Sequence, residues 1–199
     1  KVPIIYGARL SGSINKNWRI SVMNMQTKKE ISLGLPAQDY AVATIQRNFW
    51  RQSSFAATLV NKQSLGVTMA DTSKYFHETI FWQRSVNGVP VLKKNTFNRV
   101  LDFDLEMLSK DNKWHSSSFF AKSFDDFDPS ETVAAGTFLE YSTRNLYIRL
   151  KPTYIGKNFN AEAGFVPSAR VYPGQINYHG GVTYRFYPKH KSLVWMGPV

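Results

Sequence analysis

From Phe97 to Met107 apolar and polar side chains alternate along the chain, with Phe97, Leu101, Phe103, Leu105 and Met107 opposed to Asn98, Asp102, Asp104 and Glu106. A repeat of two is the period of a pleated strand, whose successive side chains point to opposite faces. The pattern recurs from Asn145 to Tyr154, where Leu146, Ile148, Leu150, Pro152 and Tyr154 oppose Tyr147, Arg149, Lys151 and Thr153. It recurs again from Val133 to Tyr141, with Val133, Ala135, Thr137, Leu139 and Tyr141 opposed to Ala134, Gly136, Phe138 and Glu140. Weaker versions run from Tyr6 to Ser11, Trp18 to Met25, Tyr40 to Arg47, Phe55 to Lys62, Trp114 to Phe124, Val182 to Tyr187 and Leu193 to Met196. No helical period of 3.6 is sustained beyond two turns, so the chain is predicted to be all-β, with about ten strands.

The connections sort by length. Ser13 to Asn17, Asn48 to Ser53, Ser109 to Lys113, Ser142 to Asn145 and Pro188 to Ser192 are short and polar, as hairpin turns are. Between them lie long connections, Thr27 to Asp39, Gln63 to Thr96, Asp125 to Thr132 and Ile155 to Gly181. In an up-and-down meander this alternation puts every long loop at one end, as in an outer-membrane β-barrel, whereas a Greek-key sandwich has no reason to sort its loops. Strands of about 10 residues at about 3.3 Å rise, tilted about 40°, cover the apolar band of such a barrel. Tyr6, Trp18, Phe49, Trp50, Trp114, Tyr141, Tyr154 and Trp195 sit near strand ends, where amphipathic rings mark membrane interfaces. Within the longest loop, 63–96, Asn87-Gly88 between Phe76 to Val86 and Val89 to Thr96 predicts a β-ribbon closed by a type I′ turn.

Composition narrows the function classes. The 199 residues contain no Cys, which removes disulfide scaffolds, thiol nucleophiles and Cys-based metal sites. No apolar run approaches the roughly 20 residues of a spanning helix. The 14 Phe, 10 Tyr and 5 Trp are too many for a disordered chain. The net charge of +11 is scattered in small clusters, Lys28 and Lys29, Lys93 and Lys94, Lys189 to Lys191, rather than gathered in a stripe, which argues against nucleic acid as a partner. The chain opens on Lys1 without a leader, so a processed product or a fragment of a longer protein, with a single barrel domain over 1–199, is expected.

Catalytic and metal readings find little. Asp102 and Asp104 stand about 6.6 Å apart on one strand face, a glycosidase-like separation, but such pairs arise on any polar strand face. Asp125, Asp126 and Asp128 lack the spacing of a calcium-binding loop, and His77, His115, His179 and His190 lack metal-ligand spacing. No Gly-x-Ser-x-Gly elbow is present. No catalytic residue, metal or cofactor is therefore singled out, and the question of enzymatic activity stays open. The charged residues read instead as a ladder inside a polar lumen, Asp102, Asp104, Glu106 and Glu140 facing Arg9, Arg149, Lys151 and Arg185, since charges enclosed in a barrel must be paired or hydrated. Leu101, Phe103, Leu105, Leu139, Ile148 and Leu150 are expected to point outward to membrane lipid. Trp82, Tyr172 and Tyr178, placed in the long loops, are candidate stacking platforms for a ligand.

Several stretches resemble a known family: Tyr6-Gly-Ala-Arg-Leu-Ser-Gly12, Ile20 to Thr27 with Asn24, Asn98-Arg-Val-Leu-Asp-Phe-Asp104, Tyr154-Ile-Gly-Lys-Asn-Phe-Asn160 and Ala163-Gly-Phe-Val-Pro167. They resemble the C-terminal barrel domain of a Bacteroidota outer-membrane family of unknown function, whose members carry an N-terminal carbohydrate-binding module of the family-nine type. Ser168 stands where the resemblance leads one to expect Arg, and Gly66 to Lys94 looks like an insertion. The resemblance implies an outer-membrane location and a link to glycans, and it names no catalytic residue. Binding or passage of a polar ligand follows as the expected role, with further segments or other protein chains completing the barrel. The rival is a soluble β-sandwich carbohydrate-binding module or glycan-active enzyme, in which the apolar face meets a second sheet.

Overall fold

The computed structural model describes residues 2–30, 35–50, 52–66, 81–86, 89–94, 96–126, 129–163 and 174–188, with the side chains of 81–86 and 89–94 excepted. These residues form strands β1 (Ile4–Ser13), β2 (Trp18–Thr27), β3 (Ala37–Phe49), β4 (Ser53–Leu65), β5 (Phe81–Val86), β6 (Val89–Lys94), β7 (Phe97–Leu108), β8 (Trp114–Asp125), β9 (Val133–Ser142), β10 (Leu146–Ile155) and β11 (Gln175–Tyr184), and no helix. Nine of them make one antiparallel sheet in the order β1-β2-β3-β4-β7-β8-β9-β10-β11. β5 and β6 form a separate ribbon whose last pair is Val86 with Val89, while the Asn87-Gly88 turn expected between them lies outside the described residues. Each neighbour in the large sheet is also a neighbour in sequence once the ribbon is passed over, so the chain runs up and down without a crossover. The sheet is open, with β1 and β11 at its edges.

The strands of the large sheet are 10 to 13 residues long. Seven of the sequence segments reappear with longer bounds, because the pairing continues beyond the last clearly alternating residue. An eighth, Asn145 to Tyr154, reappears one residue along as β10, and the ninth, Val182 to Tyr187, is corrected. The long connection Ile155 to Gly181 ends at 174, since β11 begins at Gln175 and its Tyr178 pairs with Pro152. Ile176, Tyr178, Val182 and Tyr184 alternate, but Gly180 and Gly181 break the pattern and read as a turn. Leu193 to Met196 lies outside the described residues.

Register carries one set of side chains across the whole sheet. Following partners from Asp102 to Thr58, Thr44, Ser21 and Ser11 in one direction, and to Ala121, Ala134, Ile155 and Gln175 in the other, defines a face rich in polar groups. The opposite face carries Leu10, Val22, Ile45, Phe55, Leu59, Leu101, Phe103, Leu105, Phe120, Leu139, Ile148, Leu150 and Val182. Leu10 is 66% exposed, Leu59 46% and Val182 60%. All six side chains expected to face lipid lie on this face, and none of them is buried.

A soluble domain of this length would bury a large apolar core. Here, apart from Pro36 just before β3, the only buried apolar side chains among the described residues are Val100, Ala121 and Ala134, and all three sit on the polar face. The only other sheet among the described residues is the β5-β6 ribbon. The second layer that a sandwich needs is absent from them.

Candidate functional site: the polar face of the sheet

The eight residues of the charge ladder fall on one face. Asp102, Asp104 and Glu106 alternate along β7, and Glu106 is in register with Ser117 of β8. Glu140 of β9 stands opposite His115 on one side and Arg149 of β10 on the other. Lys151 pairs with His179, Arg9 shares the face through Met23 and Val42, and Arg185 follows two residues after Thr183 beyond the end of β11.

The contacts differ from the expected pairing of four acids with four bases. Glu106 Oε2 lies 3.0 Å from His115 Nε2. The Tyr147 hydroxyl donates to Glu140 Oε2 at 2.9 Å. The reason is topological: Arg9 stands on the far edge of the sheet, several strands from the acids, while short cross-strand neighbours are within reach. Acids therefore concentrate on β7 and β9, and bases on β10, β11, β1 and β2, where Arg19 joins Arg9.

The sequence did not single out the most enclosed polar cluster, at the long-loop end of the same face. After β10 the chain turns across the strands as a strap, Gly156 to Ala163. Gly156 N donates to Val133 O at 2.8 Å, and Asn158 Nδ2 to Ser130 O at 2.8 Å. Asn160 N then donates to Ser123 Oγ at 3.0 Å, and Asn160 Nδ2 to Asp125 Oδ2 at 3.0 Å. Asn98 holds the strap from beneath, donating through Nδ2 to Asn160 O at 2.9 Å and accepting from Glu162 N at 3.0 Å. At its far end Glu162 is ion-paired to Lys62 of β4. Asn98 and Ser123 are each only 1% exposed. A buried ion pair is tolerated when hydrogen bonds complete it, and a backbone N–H that finds a side-chain acceptor is no longer an orphan.

Gly156 is required at the start of the strap. A Cβ there would lie 2.1 Å from Glu131 O, so only glycine lets the chain pass this close to the neighbouring backbone. The motif Asn158-Phe-Asn160 was visible in sequence, but the strap's partners Ser123, Asn98 and Lys62 are 37 to 100 positions away from Asn160 and Glu162, a separation that no local pattern encodes.

The three candidate ligand-stacking aromatics are not brought together among the described residues. Trp82 falls on β5, whose side chains are not described, and Tyr172 lies outside the described residues. Tyr178 is on β11 rather than in a loop, on the apolar face with Ile176 and Val182, and is 69% exposed. The aspartates of 125–128 do not converge as a cation site: Asp125 accepts from Asn160, while Asp126 Oδ2 accepts from Thr96 N and Oγ1 at 2.6 Å each. No three His, Asp or Glu side chains among the described residues are grouped to hold a metal. A cavity of about 1080 Å³ is an open dent at the tight-turn end between Trp50 and Trp114, away from the strap and most of the ladder.

The apolar face is bounded at both ends. At the tight-turn end stand Trp18, Phe49, Trp114, Tyr141 and Tyr184, with the Arg47 guanidinium 5.4 Å from the Trp18 ring. At the long-loop end stand Tyr6, Asn24, Asp39 and Asn61, linked in part by Tyr6 Oη to Asn24 Oδ1 at 2.6 Å and Asn24 Nδ2 to Asp39 Oδ1 at 3.0 Å. Arg99 lies 4.8 Å from the Phe97 ring there, and Lys122 Nζ 5.5 Å from Phe124. Rings and cations at the margins of an apolar band are what an interface between lipid and water selects.

Comparison with protein-family models, with curated proteins and with solved structures finds no match for this chain.

Proposed function

We propose that this chain is an outer-membrane β-barrel protein, or a large part of one, whose apolar face meets lipid and whose polar face lines a lumen that binds or passes a polar ligand. The observation that carries the reading is the two-faced sheet: an apolar band of exposed Leu, Ile, Val and Phe on one side, bounded by aromatic and polar collars, and a ladder of charges on the other. Transferring such a band from water to hydrocarbon contributes about 25 cal/mol per Å², which no soluble arrangement of an unpartnered sheet recovers.

Nine strands in a meander leave β1 and β11 running in the same direction. Antiparallel closure therefore takes an odd number of further strands, from elsewhere in the protein or from another chain, giving the even total usual for such barrels. The family resemblance makes a glycan the first ligand class to try. Partition of the full chain tests the proposal: it is expected in the detergent-soluble membrane fraction and to reconstitute into vesicles. A chain that stays soluble and monodisperse in buffer without detergent refutes it.

A further inference from the structure

We infer that the Gly156 to Ala163 strap is a fixed constriction that sets the size limit for solutes at the long-loop end, an inference that rests on the lumen reading above. The strap's contacts proceed from β9 through β8 and β7 to β4, so it crosses the sheet rather than following a strand. The strap opens with a turn, Phe159 N donating to Gly156 O at 3.1 Å, and its backbone reaches β7 at Asn98, from where the Glu162 side chain extends to Lys62 of β4.

The contacts of Asn160 and Glu162 lie on the polar face, over Asn98, Ser123, Asp125 and Lys62. If that face encloses a lumen, the strap occupies its cross-section at this level. Its anchoring resists displacement. Gly156 is pressed against Glu131, Asn98 grips the backbone at both Asn160 and Glu162, and Lys62 and Glu162 are each about nine-tenths buried. Removing one partner leaves the other charge buried and uncompensated, so the pair holds the distal end in place. The residues that determine specificity in this reading are Glu162, Lys62 and Asn98, through the strap they hold.

The test is solute entry into vesicles carrying the closed barrel, this chain together with the strands that complete it, with sugars of increasing size. Wild type is expected to admit small sugars and to exclude larger ones. Glu162→Gln, which leaves Lys62 unpaired, and Gly156→Ala, which forces the proximal anchor apart, are each expected to admit sugars that wild type excludes. Inserted variants with the wild-type size limit overturn the constriction and leave the barrel reading standing, whereas failure of wild type to enter membranes overturns both. Hydrogen exchange on wild type needs no variant: slow exchange at the Asn160 and Glu162 amides is expected, and exchange at the rate of unstructured chain overturns the inference even if both variants misfold.

Discussion

The ring of Phe119 on β8 covers Gly136 on β9: a Cβ built on Gly136 would lie 2.6 Å from Phe119 Cε1 and 3.2 Å from Thr153 Oγ1. The two are direct cross-strand partners on the polar face, so the glycine leaves the space in which the ring lies flat. Gly136→Ala is expected to destabilise the sheet by about 1 to 3 kcal/mol through overpacking, and to cost much less in a Phe119→Ala background. Urea unfolding of the four members of this cycle in micelles measures it, and equal costs in both backgrounds would count against the ring as the cause.

Arginine placed on the two faces should behave oppositely. Leu101→Arg, Phe103→Arg and Ile148→Arg are each expected to lose about 2 to 4 kcal/mol in lipid vesicles, because they put a cation into the apolar band. Ser11→Arg and Asn177→Arg, exposed on the polar face, are expected to stay within about 0.5 kcal/mol. Comparable losses on both faces would refute the assignment of lipid and lumen.

The turn between β7 and β8 predicts a pH response. Asp111 Oδ1 accepts from Ser109 Oγ at 2.6 Å and from Lys113 N at 3.3 Å, and Asp111 Oδ2 lies 3.0 Å from Lys113 Nζ. These hydrogen bonds, Ser109 foremost, pull the Asp111 carboxyl down to about 2, and the same contact raises Lys113. The folded value lies below the unfolded carboxylate value of about 3.9, so the contribution to stability is present above about pH 4 and is lost as pH falls through about 2. A carboxyl carbon NMR titration of Asp111 with its midpoint near 2 is expected, moving upward in Ser109→Ala.

Orientation is checked by thiol labelling, which the Cys-free chain makes clean. On intact cells producing the whole protein, an impermeant maleimide is expected to react at Lys28→Cys in the β2-β3 connection and not at Lys110→Cys in the β7-β8 turn. Lys28 and Lys110 are both exposed, so the reverse pattern would invert the barrel.

The sequence by itself determined the strands and their faces. A period of two is local: it needs only that neighbouring side chains point to opposite sides, so Leu101 with Phe103, and Asp102 with Asp104, could be assigned to faces without knowing what pairs with what. Loop lengths likewise made the meander legible. The pattern failed at β11, where Gly180 and Gly181 contribute no side chain to either face. Only the tertiary structure decided which charges meet. Glu106 found His115 and not Arg9, because register and strand order set the distances between groups that the alternation merely places on the same face. The strap was beyond sequence for the same reason: its anchors Asn98, Ser123 and Lys62 come from three strands whose alignment depends on pairing across the whole sheet, and the burial that makes Lys62 and Glu162 a strong pair exists only once that sheet has formed.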